Sequence, residues 1–158
     1  MRIKILLLTV LSFFTLIVSA QNMDKLMSQF IEVDSVSFRE ITRDYIFKHF
    51  SGKAKIDQQD IENIKKIQSI QIFDFSPCSE KDKQRVKSRW ERIKWKNYVT
   101  LAENLVDEGI DYIYAKVEAN DVLSDVIISC VEKNTTLRII RIKGSLTRKL
   151  IDKIIHSR

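Results

Sequence analysis

The sequence predicts an α+β fold: a single two-layer domain, mostly antiparallel sheet, with a C-terminal three-strand meander and helices packed on it. Three observations carry this expectation. Residues 110–118, 122–131 and 137–143 are strand-like runs separated by short polar breaks. After Gly144, the residues Leu146, Leu150, Ile151 and Ile154 fall at i, i+4, i+5 and i+8, the stripe of a helix that lies across a sheet. Upstream, helix-like and strand-like segments mix, with no repeat, low-complexity tract or linker to split the chain.

Residues 1–20 stand apart. Arg2 and Lys4 precede the uncharged run Ile5 to Val18, and Val18-Ser19-Ala20 places small residues before Gln21. This is the pattern of a secretory signal peptide cleaved near Ala20. The run is short against the roughly 20 residues of a membrane-spanning helix. Residues 21–158 are then the single α+β domain, long enough for one core.

Leu26, Met27, Phe30 and Ile31 mark a short amphipathic helix, and Val33 to Phe38 a strand with Val36 and Phe38 inward. Ile41, Tyr45, Ile46, His49 and Phe50 mark a helix ending near Ser51-Gly52, where glycine suits the C′ position. Ile61 and Ile64 give one or two helical turns, and Gln68 to Phe75 returns to strand. Ser76-Pro77 breaks the chain, and Ser79 with Asp82 three residues on resembles a capping box. The helix it opens extends to about Trp95, with Val86, Trp90 and Ile93 on its apolar face. Trp95 points away from that face at 100° per residue, so it is exposed or the helix has ended. Tyr98 to Val106 fits either a helix or an extended edge segment, followed by a turn at Asp107 to Gly109.

In the meander, Ile113, Ala115 and Val117 share one face of the first strand. The second strand is apolar on both faces, with Val122, Val126, Ile128 and Cys130 opposite Leu123, Ile127 and Val131. Such a strand belongs at the centre of a sheet, covered on both sides. The third strand sets Ile140 and Ile142 against Leu137 and Ile139; Gly144 is expected to break it and Ser145 to cap the final helix.

Cys78 and Cys130 are the only cysteines. Export permits a Cys78–Cys130 disulfide, while Cys130 in an apolar strand equally suits a small hydrophobe. The spacing of two cysteines does not choose between them.

Charge concentrates in one place. From Ser79 to Lys96 eight basic residues face three acidic ones, a net +5. Without Arg2 and Lys4 the chain falls from +6 to +4, so this segment accounts for all of the excess. On a helical wheel Lys81, Arg85, Arg89, Arg92 and Lys96 form one stripe, with Trp95 beside it as a further contact residue. The stripe can meet the anionic groups of an envelope protein, lipid or glycan, or it can be a solvated surface that keeps the protein soluble. Export argues against nucleic acid.

Catalysis finds little footing. His49 and His156 are the only histidines; there is no His-Glu-x-x-His, Gly-x-Ser-x-Gly or glycine-rich phosphate loop, and no cofactor or metal motif. Asp74 and Glu118, near strand ends, are acid–base candidates that nothing in the sequence brings together. Asn134-Thr135-Thr136 fits the N-glycosylation acceptor pattern. Asp34-Ser35-Val36 resembles the acceptor of the general O-glycosylation system of Bacteroidetes.

Tyr98-x-x-Leu101, then Ile110-Asp111-Tyr112-Ile113-Tyr114, then residues 122–131, then Ile140-Arg141-Ile142-Lys143-Gly144-Ser145-Leu146 resemble the domain of unknown function 4252 family. The front of the chain, with a signal segment ending in Ala20-Gln21, a helix, a strand and a helix, resembles it as well. The resemblance implies a small exported protein of Bacteroidetes and favours a strand at Tyr98 to Val106. It implies no activity and no site residues. The resulting expectation is an uncharacterised exported envelope protein, periplasmic or secreted, acting as a non-catalytic binding or interaction module. The alternatives are a structural envelope component with a solvated basic helix, or an enzyme with a cryptic site.

Overall fold

The computed structural model describes residues 23–50, 58–105, 109–132 and 135–156; residues 1–20, read above as a signal peptide, the expected helix end at Ser51-Gly52, the turn residues Asp107 and Glu108, and Asn134 lie outside them. The elements in chain order are α1 (Met23–Ile31), β1 (Ser37–Thr42), α2 (Arg43–Phe50), α3 (Gln58–Lys65), β2 (Ile67–Asp74), α4 (Glu80–Glu91), β3 (Val99–Leu105), β4 (Ile110–Val117), β5 (Leu123–Glu132), β6 (Thr135–Leu146) and α5 (Arg148–His156). The six strands form one antiparallel sheet in the order β1-β2-β6-β5-β4-β3. The α+β architecture and the C-terminal meander are therefore as the sequence predicts, and of the ambiguous Tyr98 to Val106 stretch Val99–Leu105 forms an edge strand, while Val106 lies outside the described residues.

Helices cover both faces of the sheet, giving three layers where two were expected. The cause is the two-sided apolar character of the central strands. On one face Val126, Ile128, Ile142 and Leu146 pack with Ile46 of α2 and with Leu150 and Ile151 of α5. On the other, Ile127, Ile139, Phe73 and Phe75 pack under Leu26, Met27 and Phe30 of α1 and Val86 and Trp90 of α4. Each such fully buried Phe or Ile contributes about 1.5–3 kcal/mol through removal from water. The rings of Phe30 and Phe75 meet edge-on with centroids 5.8 Å apart, which fixes how α1 sits on the sheet.

Several details depart from the sequence reading. Ile41, expected in the helix with Tyr45 and Ile46, pairs in β1 with Ile70, and α2 starts only at Arg43. β1 begins at Ser37, because Val33 to Val36 is turn, with Ser35 exposed at φ 63°. α4 stops at Glu91: the Arg92 amide donates to the Arg89 carbonyl and the Ile93 amide to that of Trp90, closing the last turn short of Trp95. In β5 the register shifts between Leu123 and Asp125, a bulge that moves Leu123 to the face of Val126 and turns Asp125 to the face of Ile127. β6 runs on through Gly144 to Leu146, and Thr147 rather than Ser145 caps α5 by accepting from the Leu150 amide. Ser145 instead donates its amide to the carbonyl of Lys66 at 2.9 Å.

The disulfide reading fails on geometry. Cys78 packs in the α1/α4 layer and Cys130 against the opposite face of the sheet, and no disulfide joins them. Burial, with smaller effects from nearby carboxylates, pushes the Cys78 thiol above its ordinary range. Reducing agent is therefore expected to leave the melting midpoint unchanged in a thermal scan. A drop of several degrees on reduction would contradict this placement.

Candidate functional site

The basic face is built by α4. Ser79 caps the helix by accepting from the Asp82 amide, and Val86 and Trp90 anchor its inner side. The outer side follows from that anchoring: Lys81, Arg85, Arg89 and Arg92 are all exposed and, with Gln84 and Ser88, line a shallow depression of about 360 Å³. The acidic residues of α4 are spent on neighbours: Glu80 on Lys83 at 3.0 Å, Asp82 on Arg85 at 3.2 Å and Glu91 on Lys87 at 3.7 Å. Among the described residues Lys81, Arg89 and Arg92 make no ion pair. Toward α1 the face is bounded by a second depression of about 280 Å³, lined by Glu32 and Asp34 together with Asp82, Arg85 and Arg89 of α4. The positive field is thus one-sided.

Two of the residues read onto this stripe do not belong to it. Lys96 lies beyond the end of α4, where the helical wheel no longer applies; it is exposed but lines neither depression. Trp95 is half-buried, not exposed. Its ring stacks on Tyr114 with centroids 3.7 Å apart and planes at 11°, and meets Trp90 edge-on at 5.1 Å. The helix having ended, the chain folds back and lays this ring on β4.

A second polar site, which the sequence reading missed, lies on the same face of the sheet. Arg141 of β6 is 3% exposed and Asp125 of β5 7%. The Arg141 Nε donates to both Asp125 oxygens at 3.0 and 3.1 Å, and its Nη2 donates to Oδ2 at 2.6 Å. This is a fork-to-fork pair, the strongest geometry open to these groups. Tyr98 donates its hydroxyl to Asp125 Oδ2 at 2.8 Å. Burial first, and the Asp125 charge second, push the Tyr98 hydroxyl well above its ordinary range, so it stays a donor. On the solvent side Asp24 of α1 accepts from Arg141 Nη1 and from Lys143 Nζ, each at 2.7 Å and both on its Oδ1. The Lys143 hydrogen bond, and then that of Arg141, outweigh desolvation and hold the Asp24 carboxyl below the usual range. An open cleft of about 320 Å³ adjoins these groups, with Lys116, Ser124 and Asn97 on its rim. The signal was present in the sequence as single charges inside apolar strands, Asp125 before Val126-Ile127-Ile128 and Arg141 between Ile140 and Ile142.

The acid–base pair does not assemble. Asp74, at the end of β2, pairs with Arg138 of β6 at 2.9 Å, and Glu118, just past β4, pairs with Lys116 at 2.8 Å; β6 and β5 lie between β2 and β4. The His49 and His156 side chains lie outside the described residues. A family model described as "Domain of unknown function (DUF4252)" matches residues 12–154. No curated protein and no solved structure matches the chain.

Proposed function

Because the chain belongs to this family of unknown function, we propose a role from its own surface: an exported envelope protein that acts as a non-catalytic binding module, meeting an anionic partner through α4. The observation that supports this reading is the exposed cluster of Lys81, Arg85, Arg89 and Arg92, which exceeds what the acids of its own helix neutralise. A depression walled by four cations concentrates anions, and its acidic border on the α1 side sets a direction of approach. The partner is an acidic envelope protein, or an anionic lipid or glycan.

The test is crosslinking of the exported protein in its own envelope, followed by mass spectrometry. The triple variant Arg85→Glu/Arg89→Glu/Arg92→Glu is compared with the unaltered chain. Exposed substitutions of this kind each change stability by roughly 0.5 kcal/mol or less, so the variant is expected to fold. It is expected to lose the crosslinked partner, and the unaltered chain to release it as salt shortens the screening length to about 3 Å at 1 M. A folded variant that keeps the same partner would end the proposal. The surviving reading would then be a solvated surface helix, which the i,i+3 and i,i+4 pairs along α4 already favour.

A further inference from the structure

The turn between α1 and β1 presents a serine that its surroundings do not explain. The Val36 amide donates to the Val33 carbonyl at 3.2 Å, closing a tight turn with Asp34 and Ser35 at its tip. Val33 and Val36 are half-buried against the α1/α4 layer and pin the turn at both ends, while Asp34 and Ser35 are exposed. Ser35 has φ 63°, a conformation in which glycine or asparagine is the easier residue. A structural hydrogen bond does not account for it either, since its hydroxyl makes none with the described residues. The hydroxyls of Ser28, Ser76, Ser79 and Ser124, by contrast, each donate to a carbonyl or carboxylate of a neighbour. Asp34-Ser35 is also the one place in the chain where Asp precedes Ser or Thr, and an apolar residue, Val36, follows it. The sequence reading set this motif within a strand, where ladder bonds would engage it; it lies instead on a turn tip that an enzyme can reach.

We propose that Ser35 is an O-glycosylation site, its hydroxyl accepting a sugar from a phosphate-activated glycosyl donor under an envelope glycosyltransferase that reads Asp34-Ser35-Val36. The Ser35 Oγ attacks the anomeric carbon of the donor sugar. A glycosidic C–O bond forms as the bond to the carrier phosphate breaks; the carrier leaves with the electron pair, and the hydroxyl proton passes to a base of the transferase. Asp34 sets a negative charge one position before the hydroxyl and Val36 an apolar surface one position after, so the flanks give the enzyme a direction as well as a place. A glycan is bulky and hydrated, and an exposed turn tip carries it without displacing packed groups. The inference rests on export of the chain, as the proposed function does, but on no partner of α4.

The experiment is mass spectrometry of the protein produced from the full chain in its own cells and purified from their envelope. The same chain made without residues 1–20, and so kept in the cytoplasm, is the unmodified reference. The exported protein is expected to exceed the mass of its mature sequence by whole sugar residues, and fragmentation to place them on Ser35. Ser35→Ala and Asp34→Asn are each expected to abolish the increase; both change exposed turn residues, and circular dichroism checks that the variants fold. Ser37→Ala, at an exposed position just beyond the motif, is expected to leave the increase unaltered. An exported chain at its sequence mass, sugar on another residue, a phosphoryl group on Ser35, or an undiminished increase in Asp34→Asn would overturn this inference alone. A full chain found in the cytoplasm with residues 1–20 still attached would overturn the export reading together with it.

Discussion

Asp125→Asn is expected to destabilise the protein by about 3–5 kcal/mol, the range for removing one partner of a buried ion pair. The reason is what it leaves behind. Arg141 is 3% exposed and donates three contacts to that carboxylate. Asn keeps one oxygen but loses the charge, so Arg141 retains only the shared Asp24 oxygen as an anionic partner. Against a typical stability of roughly 5–15 kcal/mol this is a large fraction. It reads out as a lower urea midpoint with an unchanged slope. Replacing both partners together, Asp125→Leu with Arg141→Met, is expected to recover most of the loss, since apolar groups of similar volume substitute for buried pairs at little cost. A single Asp125→Asn variant within 1 kcal/mol of the parent, on the same scale, would show that water reaches Arg141 and that the pair is not what holds β5, β6 and α1 in register.

Gly144→Ala is the second large effect. Gly144 has φ +157°, and a Cβ there would collide with the Lys66 carbonyl oxygen and stand 3.0 Å from the Ile67 Cα. Both obstacles are backbone, so no side chain can rotate away. The Ile67↔Gly144 pairing is where β2 joins β6, next to a register shift, and the Lys66 carbonyl also accepts from Ser145. Overpacking of about 1–3 kcal/mol and backbone strain of about 1–3 kcal/mol together give a loss on the order of 4 kcal/mol. Amide hydrogen exchange is expected to accelerate first along β2 and β1. Protection spread evenly over the sheet, with a midpoint like the parent's, would refute this.

What the sequence disclosed follows from the range of each signal. Period-two alternation in Ile113, Ala115 and Val117, and the two-sided apolar runs of β5 and β6, are local patterns with one stable solution, central strands under cover. That pattern, followed through, requires a third layer, because Ile127 and Ile139 need a partner just as Ile128 and Ile142 do. The basic face of α4 was legible because a helical wheel is local; it failed at Trp95 and Lys96 because the wheel was carried past the last hydrogen-bonded turn. Gly144 was read as a breaker because its role is to admit Lys66, 78 positions earlier, which no window around it contains. The Arg141 site is hidden for the same reason. Its partners are separated from Arg141 by 16 and 117 positions, and the bulge that aims Asp125 at it has no compositional mark.

The strand order also has a consequence for how the chain reaches this state. β2 sits between β1 and β6, so the early strands gain their attachment to the rest of the sheet only when residues 138–144 arrive. α1 needs the same strand, since its ionic partners Arg141 and Lys143 lie there. The four-strand meander from β3 to β6 joins neighbours in sequence and can close first. Such pairing of distant segments slows folding, with sheet-dominated topologies taking roughly milliseconds to seconds. An amino-terminal half synthesised alone holds β1 and β2 as an unsupported pair, below the three strands that independent stability requires. Its commitment to the native state is therefore deferred until β6 has been made, later than in a fold assembled from its amino terminus.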